Sequence, residues 1–265
     1  LNMIHIAIVS HGHEELLISS QLGGLAQAGA PMQVWVKDNL PSDSLRRYCE
    51  QVGVHYTDAS PGLGFGANNN FLFQLVRQSD GYAANDLFVI MNPDIAITAA
   101  HIAELELRMQ HDQAVSATLN LFKDHAGTIA DGNIRIFPDL LSPLRVPLVR
   151  SLTSVYDKSK LPESCDIDWC SGAFLAMRAA HFEQLGGFDD DYFMYFEDVD
   201  LCYRSYLLTG HGVRYYPDLH AVHFGAHRNR SLASPHARWF LSSFMRFIFR
   251  KYCVYPRRPH TLKPL

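Results

Sequence analysis

The sequence predicts a single α/β domain built on a mixed, mostly parallel sheet with helices on its faces. Short apolar runs alternate with helix-period segments through about the first hundred residues, and several of the runs end in polar or acidic residues, the order of a parallel sheet joined by helices. The length agrees: 265 residues, 48% hydrophobic and 19% charged, suffice for one large core.

Residues 4–10 form an apolar run closing on Ser10, a buried first strand. A helix is expected over 14–28, stopped by Gly29 and Pro31. Residues 32–37 read as a second strand that ends at Asp38-Asn39, 43–51 as a helix, and 54–57 as a short third strand. Gly62, Gly64 and Gly66 punctuate a loop before an amphipathic helix over 67–77. A strongly apolar strand, 86–91, runs into Asn92-Pro93-Asp94. Residues 120–165 read as irregular, and 123–165 as a lid on the acceptor side. Regular structure resumes at 168–177, with a helix near 179–185, a Gly186-Gly187 turn, the acidic run Glu197-Asp198-Val199-Asp200 and a strand over 213–217. Ligands on such sheets bind beyond the carboxyl ends of the strands, where Ser10, Asp38 and Asp94 fall.

Composition excludes several classes. No stretch approaches the roughly 18 to 20 apolar residues of a membrane-spanning helix, and Leu1-Asn2-Met3 lacks the basic start and apolar run of a signal peptide. Five cysteines without a CxxC pair argue against a disulfide framework and for a reducing cytoplasm. The net charge of −4 is uneven: after Asp218 there are nine Lys and Arg and no acid, leaving 14 basic and 27 acidic residues in 1–218. A basic tail on an acidic body points to an anionic surface or ligand at that end. The acidic body, with no RNA- or DNA-binding motif, argues against nucleic acid.

Asp94, delivered by a strand end, suits Mg²⁺ or Mn²⁺ shared with phosphate oxygens, because these hard cations keep few protein ligands. Asn-Pro-Asp also reads simply as a strand-ending turn. The carboxylates of Glu197, Asp198 and Asp200 follow an aromatic run, which suits a general base of raised pKa; acids at a helix N-terminus are the alternative. His220, His223 or His227 could complete a metal site or simply be packed histidines. The Gly64-Phe65-Gly66 loop could bring backbone N–H groups to a phosphate.

Ser10, Asp38-Asn39, the glycine loop with Asn68-Asn69-Asn70, Asn92-Pro93-Asp94, Trp169-Cys170-Ser171-Gly172, Gly186-Gly187-Phe188-Asp189 and Glu197-Asp198-Val199-Asp200 stand in an order that resembles glycosyltransferase family 2. Within that family, the pattern over about residues 4–252 is similar to the WbbL-type bacterial rhamnosyltransferases of O-antigen and cell-wall assembly. The resemblance implies a GT-A domain over residues 1–232, with a nucleotide-sugar half to about 120 and an acceptor half beyond it, followed by a basic amphipathic segment, 233–265. It implies inverting transfer of L-rhamnose from dTDP-β-L-rhamnose to N-acetylglucosamine-diphospho-polyprenol, at the inner face of the plasma membrane. It assigns the base to Asp198, with Glu197 beside it, and a divalent Mg²⁺ or Mn²⁺ ion to Asp94 and His223. Ser10, Asp38, Asn39, Gly66, Asn70 and Asn92 are expected on the nucleotide, and Trp169, Gly172, Asp200, Arg228 and Arg230 on the acceptor or diphosphate. Asn92 replaces the first aspartate of the family's DxD pattern, and Pro235 stands where processive members carry Gln before Arg238-Trp239. Another nucleotide-sugar donor (hexose, mannose or galactofuranose) or a catalytically inactive binding module are the alternatives.

A last helix is expected over 234–252, with Phe240, Phe244 and Phe247 on one stripe. Such a stripe either docks on the core or lies in a membrane interface. The basic residues continuing to Lys263 favour the interface.

Overall fold

The computed structural model describes residues 2–20, 22–29, 31–144, 152–225 and 235–255. Arg228, Arg230 and His227, and the basic residues after Tyr255, lie outside them. Strands β1 (Ile4–Ser10), β2 (Met32–Asp38), β3 (His55–Thr57) and β4 (Leu87–Met91) run parallel in the order β3-β2-β1-β4. The single helix expected over 14–28 is instead two short ones, α1 (Glu14–Ser19) and α2 (Leu22–Ala26), because Ser20 takes an extended conformation. Helices α3 (Asp43–Val52) and α4 (Phe65–Gln78) follow. Ser42 caps α3 by accepting from Leu45 N, and Gly53 ends it in the left-handed region.

Past Asp94 the structure adds three elements absent from the sequence reading: β5 (Ile95–Ala96), α5 (Ala99–His111) and β6 (Ser116–Phe122). Strands β7 (Ile134–Arg135), β8 (Cys165–Ile167), β9 (Trp169–Cys170) and β10 (Phe174–Arg178) come next, then α6 (Ala179–Gln184), α7 (Glu197–Thr209), β11 (Val213–His223) and α8 (Pro235–Phe249), the last continued by a π turn, Arg250–Val254. Strand β10 joins the sheet antiparallel between β4 and β6, and β11 runs parallel to β6. Among the described residues the main sheet has nine strands, β3-β2-β1-β4-β10-β6-β11-β5 with β8 also on β11. β11 does not stop at Pro217: the register with β6 slips between Tyr216 and His220, and this irregularity absorbs the missing N–H before pairing resumes to His223.

Alternation along the strands splits the core in two. Ile4, Ile6 and Ile8, Val34 and Val36, and Leu87 and Val89 pack with α1, α2, α3 and α5. Ala7, Trp35, Phe88, Ile90, Leu175 and Met177 pack with α4, α6, α7 and α8. The phenylalanine stripe of α8 therefore docks on the core: Phe244 and Phe247 are buried, and the interface use expected of that stripe is not available to it. All five cysteines are free.

Buried His181 on α6 lies 2.7 Å from Ser205 Oγ on α7. Burial, aided by the charge of Arg204, lowers its pKa from 6.5 to about 4. The fold thus favours the neutral imidazole, so its contribution is complete above the unfolded value and is lost as pH falls through the folded one. Urea unfolding should show about 3 kcal/mol disappearing between these values, and His181→Gln should flatten that slope.

Candidate active site

A cleft of about 840 Å³ opens at the carboxyl ends of β1, β2 and β4. Strand ends supply Val9, His11, His13 and Asn39; the glycine loop supplies residues 62–65 and Asn68; the β4–β5 turn supplies Asn92, Pro93 and Asp94. The far wall is Lys123, Asp131, His223, Phe224 and Gly225, and the aromatic side is Phe193, Met194, His236 and Trp239.

Ser10 and Asp38 face each other in register at the ends of β1 and β2, both buried. Asp38 accepts from Tyr56 OH (3.1 Å) and Leu40 N (3.3 Å); its neighbour Asn39 lines the cleft. Asn39 N donates to Ser10 O (2.9 Å), and Lys37 Nζ holds Asn39 Oδ1 (3.2 Å) and Ser60 O (3.3 Å). Ser10 Oγ and Asn68 Oδ1 are buried without a hydrogen-bond partner; of the two residues only Asn68 belongs to the cleft lining.

On the opposite side, pairing of β5 with β11 sets His223 opposite Ile95, next to Asp94. His223 Nε2 lies 3.4 Å from Asp94 Oδ1, and Nδ1 lies 3.2 Å from Asp131 Oδ2. Burial alone would lower the imidazole pKa, but the hydrogen bonds to Asp131 and Asp94 and their charges outweigh it and raise it to about 9. Burial likewise pushes Asp131 up, yet the His223 bond and the nearby Lys158 and Lys123 charges hold it below the usual carboxylate range. The sequence reading missed Asp131, which is remote from His223 along the chain and sits in a stretch read as irregular.

Among the described residues no three His, Cys, Asp or Glu side chains converge as a metal cluster. One carboxylate oxygen and one imidazole nitrogen, with the second nitrogen tied to a carboxylate, fit Mn²⁺ or Mg²⁺ completed by phosphate and water.

Helix α7 starts from a strained turn. Tyr195 and Phe196 have φ of 71° and 67°, which for aromatic residues costs about 1–3 kcal/mol each. α8 clamps it: Phe196 packs on Phe240, Phe244 and Phe247, and Tyr195 OH meets His236 Nδ1 at 3.1 Å. Truncating one such buried phenylalanine typically costs about 3–5 kcal/mol, so the clamp outweighs the strain. The turn leaves Glu197 and Asp198 in the first turn of α7. Asp198 Oδ2 accepts from Gly172 N (3.0 Å) and Oδ1 from Val199 N (2.8 Å). Burial raises its pKa against these two bonds, and burial plus the Asp198 charge raises Glu197 well above the carboxylate range. Asp198 is not itself part of the cleft lining. Phe65, which is, packs so closely on Gly172 that a Cβ there would lie 2.7 Å from its Cε1.

Other residues read as ligand contacts are occupied elsewhere. Asp200 is fully buried, bound by Arg204 Nε (2.8 Å) and by the hydroxyls of Tyr192 and Tyr255. Trp169 is in the core, its Nε1 donating to Ile136 O (3.0 Å). Asn70 staples α4 to the 186–190 turn, donating to Phe188 O and Asp190 Oδ1 and accepting from Phe188 N. Gly66 answers to packing, since a Cβ would meet that of Phe188 at 2.8 Å. The His220 ring packs tilted against that of His101, 4.8 Å between ring centroids. The 123–165 stretch read as a lid carries β7, and Asp168, just beyond it, accepts from both Phe137 N and Tyr156 OH.

The fold is that of the GT-A glycosyltransferases. The fold is similar to that of GalNAc-T7 solved with UDP, GalNAc and Mn²⁺, with a TM-score of 0.63 at 13% identity, covering 98% of this chain and 51% of that one. Within this class the chain belongs to the WbbL-type rhamnosyltransferases of glycosyltransferase family 2: it is 34% identical to rhamnosyltransferase WbbL of Escherichia coli (strain K12) over 255 residues, 94% of either chain. It is also 27% identical to the N-acetylglucosaminyl-diphospho-decaprenol L-rhamnosyltransferase of Mycobacterium tuberculosis (H37Rv), over 74% of this chain and 68% of that one. No model of a known protein family matches the chain.

Proposed function

We propose that this enzyme transfers L-rhamnose from dTDP-β-L-rhamnose to N-acetylglucosamine-diphospho-polyprenol with inversion, working in the cytoplasm at the inner face of the plasma membrane in O-antigen or cell-wall polysaccharide assembly. The observation that carries the reading is the pairing of Asp94 with His223 across a strand-end cleft in a chain whose relatives are rhamnosyltransferases. Asn39, Ser10 and Asn92 hold the nucleotide end, and Asp94 and His223 hold a Mg²⁺ or Mn²⁺ ion. That ion supplies charge neutralisation to the diphosphate leaving group. Asp198 takes the proton of the attacking acceptor hydroxyl, while Gly172 N and Val199 N fix its carboxylate. The hydroxyl oxygen bonds to the anomeric carbon as the bond to the diphosphate breaks on the opposite face, so a β-linked donor gives an α-linked product. Phe193, His236 and Trp239 form the aromatic wall available to the acceptor sugar.

Transfer from dTDP-L-rhamnose to a synthetic N-acetylglucosamine-diphospho-lipid tests this directly. Product should form with Mn²⁺ or Mg²⁺, vanish with EDTA and return when metal is restored. No product from this donor, with turnover of another nucleotide sugar, would withdraw the rhamnose assignment.

A further inference from the structure

With its phenylalanine stripe in the core, α8 should be polar on its outer face, yet Leu241, Met245 and Phe249 recur there one turn apart and are 57%, 58% and 61% exposed. A second apolar group adjoins the end of this helix: Lys251 Nζ donates to Pro138 O at 2.8 Å, and the segment that follows exposes Leu140, Leu141 and Leu144. Scattered exposed leucines need no explanation, but a continuous stripe along one helix, with a further exposed apolar group near its end, marks an interaction surface.

We infer that this outer stripe of α8, with the 140–144 loop, seats the enzyme on an anionic lipid bilayer. Charge selects the occupant. The sequence after Asp218 holds nine Lys and Arg and no acid; Arg246 and Arg250 are paired with Asp191 and Asp189, and the remaining seven attract this end of the chain to negative headgroups while its apolar side chains enter the interface. Among the described residues no helix is long and apolar enough to cross a membrane, so the contact is one of lying on the surface. The first turn of the same helix carries His236 and Trp239 into the cleft, two residues before Leu241, so the seat would bring the cleft to the lipid surface. The purpose of this contact rests on the lipid-linked acceptor proposed above; its test does not.

The test is flotation of the full chain with vesicles of phosphatidylethanolamine and phosphatidylglycerol, against phosphatidylcholine alone, over a salt series. Binding should favour the anionic vesicles and fall with salt. The triple substitution Leu241→Ser, Met245→Ser, Phe249→Ser should weaken it by about tenfold or more while circular dichroism and transfer to a short-chain, water-soluble acceptor stay unchanged. Leu140→Ser with Leu141→Ser and Leu144→Ser should weaken it independently. Equal binding of wild type and the α8 triple variant, or no binding of wild type to anionic vesicles, overturns the inference. So does a concentration-dependent dimer in sedimentation that the same triple variant abolishes, which would make the stripe a self-association face. Failure of wild type to use the soluble acceptor would count against the proposed reaction, and the vesicle result would still decide the surface.

Discussion

Asp198→Asn is expected to lower kcat by about 100- to 10,000-fold while donor binding and fold survive. The substitution keeps shape and removes the basic oxygen. The amide oxygen can still accept from either Gly172 N or Val199 N, but the amide NH₂ then faces the other donor, so a stability loss of about 1–3 kcal/mol accompanies the loss of turnover. Glu197→Gln is the control. Glu197 is buried with Oε2 unpartnered and its pKa is held well above the carboxylate range by burial and by Asp198, so a neutral amide costs little there. Because Glu197 is itself neutral where Asp198 ionises, the amide removes no charge from beside Asp198. The acid limb of kcat/KM should therefore rise through the elevated Asp198 pKa in wild type and stay in place in Glu197→Gln. Stability has the same origin and the opposite slope. Carboxyls whose folded pKa is raised favour the fold while protonated, and that contribution is lost as pH rises through the folded values. Near-complete inactivation by Glu197→Gln with active Asp198→Asn would exchange the two roles.

The parallel half of the sheet was legible because its strands are buried on both faces and read as continuous apolar runs closed by polar residues. β5, α5 and β6 went unread although signals were present: Thr98 accepts from His101 N as a helix cap, and Ile102, Leu105 and Met109 recur at helical spacing. β11 was cut short at Pro217 because proline cannot donate to a ladder; only the partner strand reveals the register slip that carries the chain on to His223. The site was legible in part: Asn39 and Asp94, delivered by strand ends, line the cleft, whereas Ser10 and Asp198 stand outside its lining. It was misread where polarity was taken for ligand contact: Asp200 and Asn70 satisfy buried backbone and side-chain partners instead. The left-handed pair Tyr195-Phe196 has no sequence signature, because aromatic residues avoid positive φ unless tertiary packing imposes it. The α8 phenylalanines that impose it were legible as a stripe, but periodicity does not say which of two apolar stripes meets the core.

The cation side should respond in graded steps. Asp94→Ala removes a direct carboxylate ligand and leaves His223 as the remaining protein donor proposed for the ion; Mn²⁺ binding, read by electron paramagnetic resonance of the free ion, should be lost over the accessible range and transfer with it. His223→Ala should act in the same direction. Asp131→Asn should be intermediate, weakening Mn²⁺ by about 10- to 100-fold, because Asp131 touches the imidazole and not the cation site. Its carboxylate accepts at Nδ1, which fixes the ring and leaves Nε2 turned toward Asp94. An asparagine in its place preserves the volume but gives the ring a weaker acceptor, or a donor amide that leaves the tautomer unfixed. The loss in transfer should then be recovered in part by raising Mn²⁺, whereas Asp198→Asn should not be rescued at any metal concentration. This separation distinguishes a group that prepares the metal ligand from one that acts on the acceptor. Wild-type Mn²⁺ affinity in Asp131→Asn would reduce Asp131 to a structural partner of β11, and undiminished affinity in Asp94→Ala would place the cation elsewhere in the cleft.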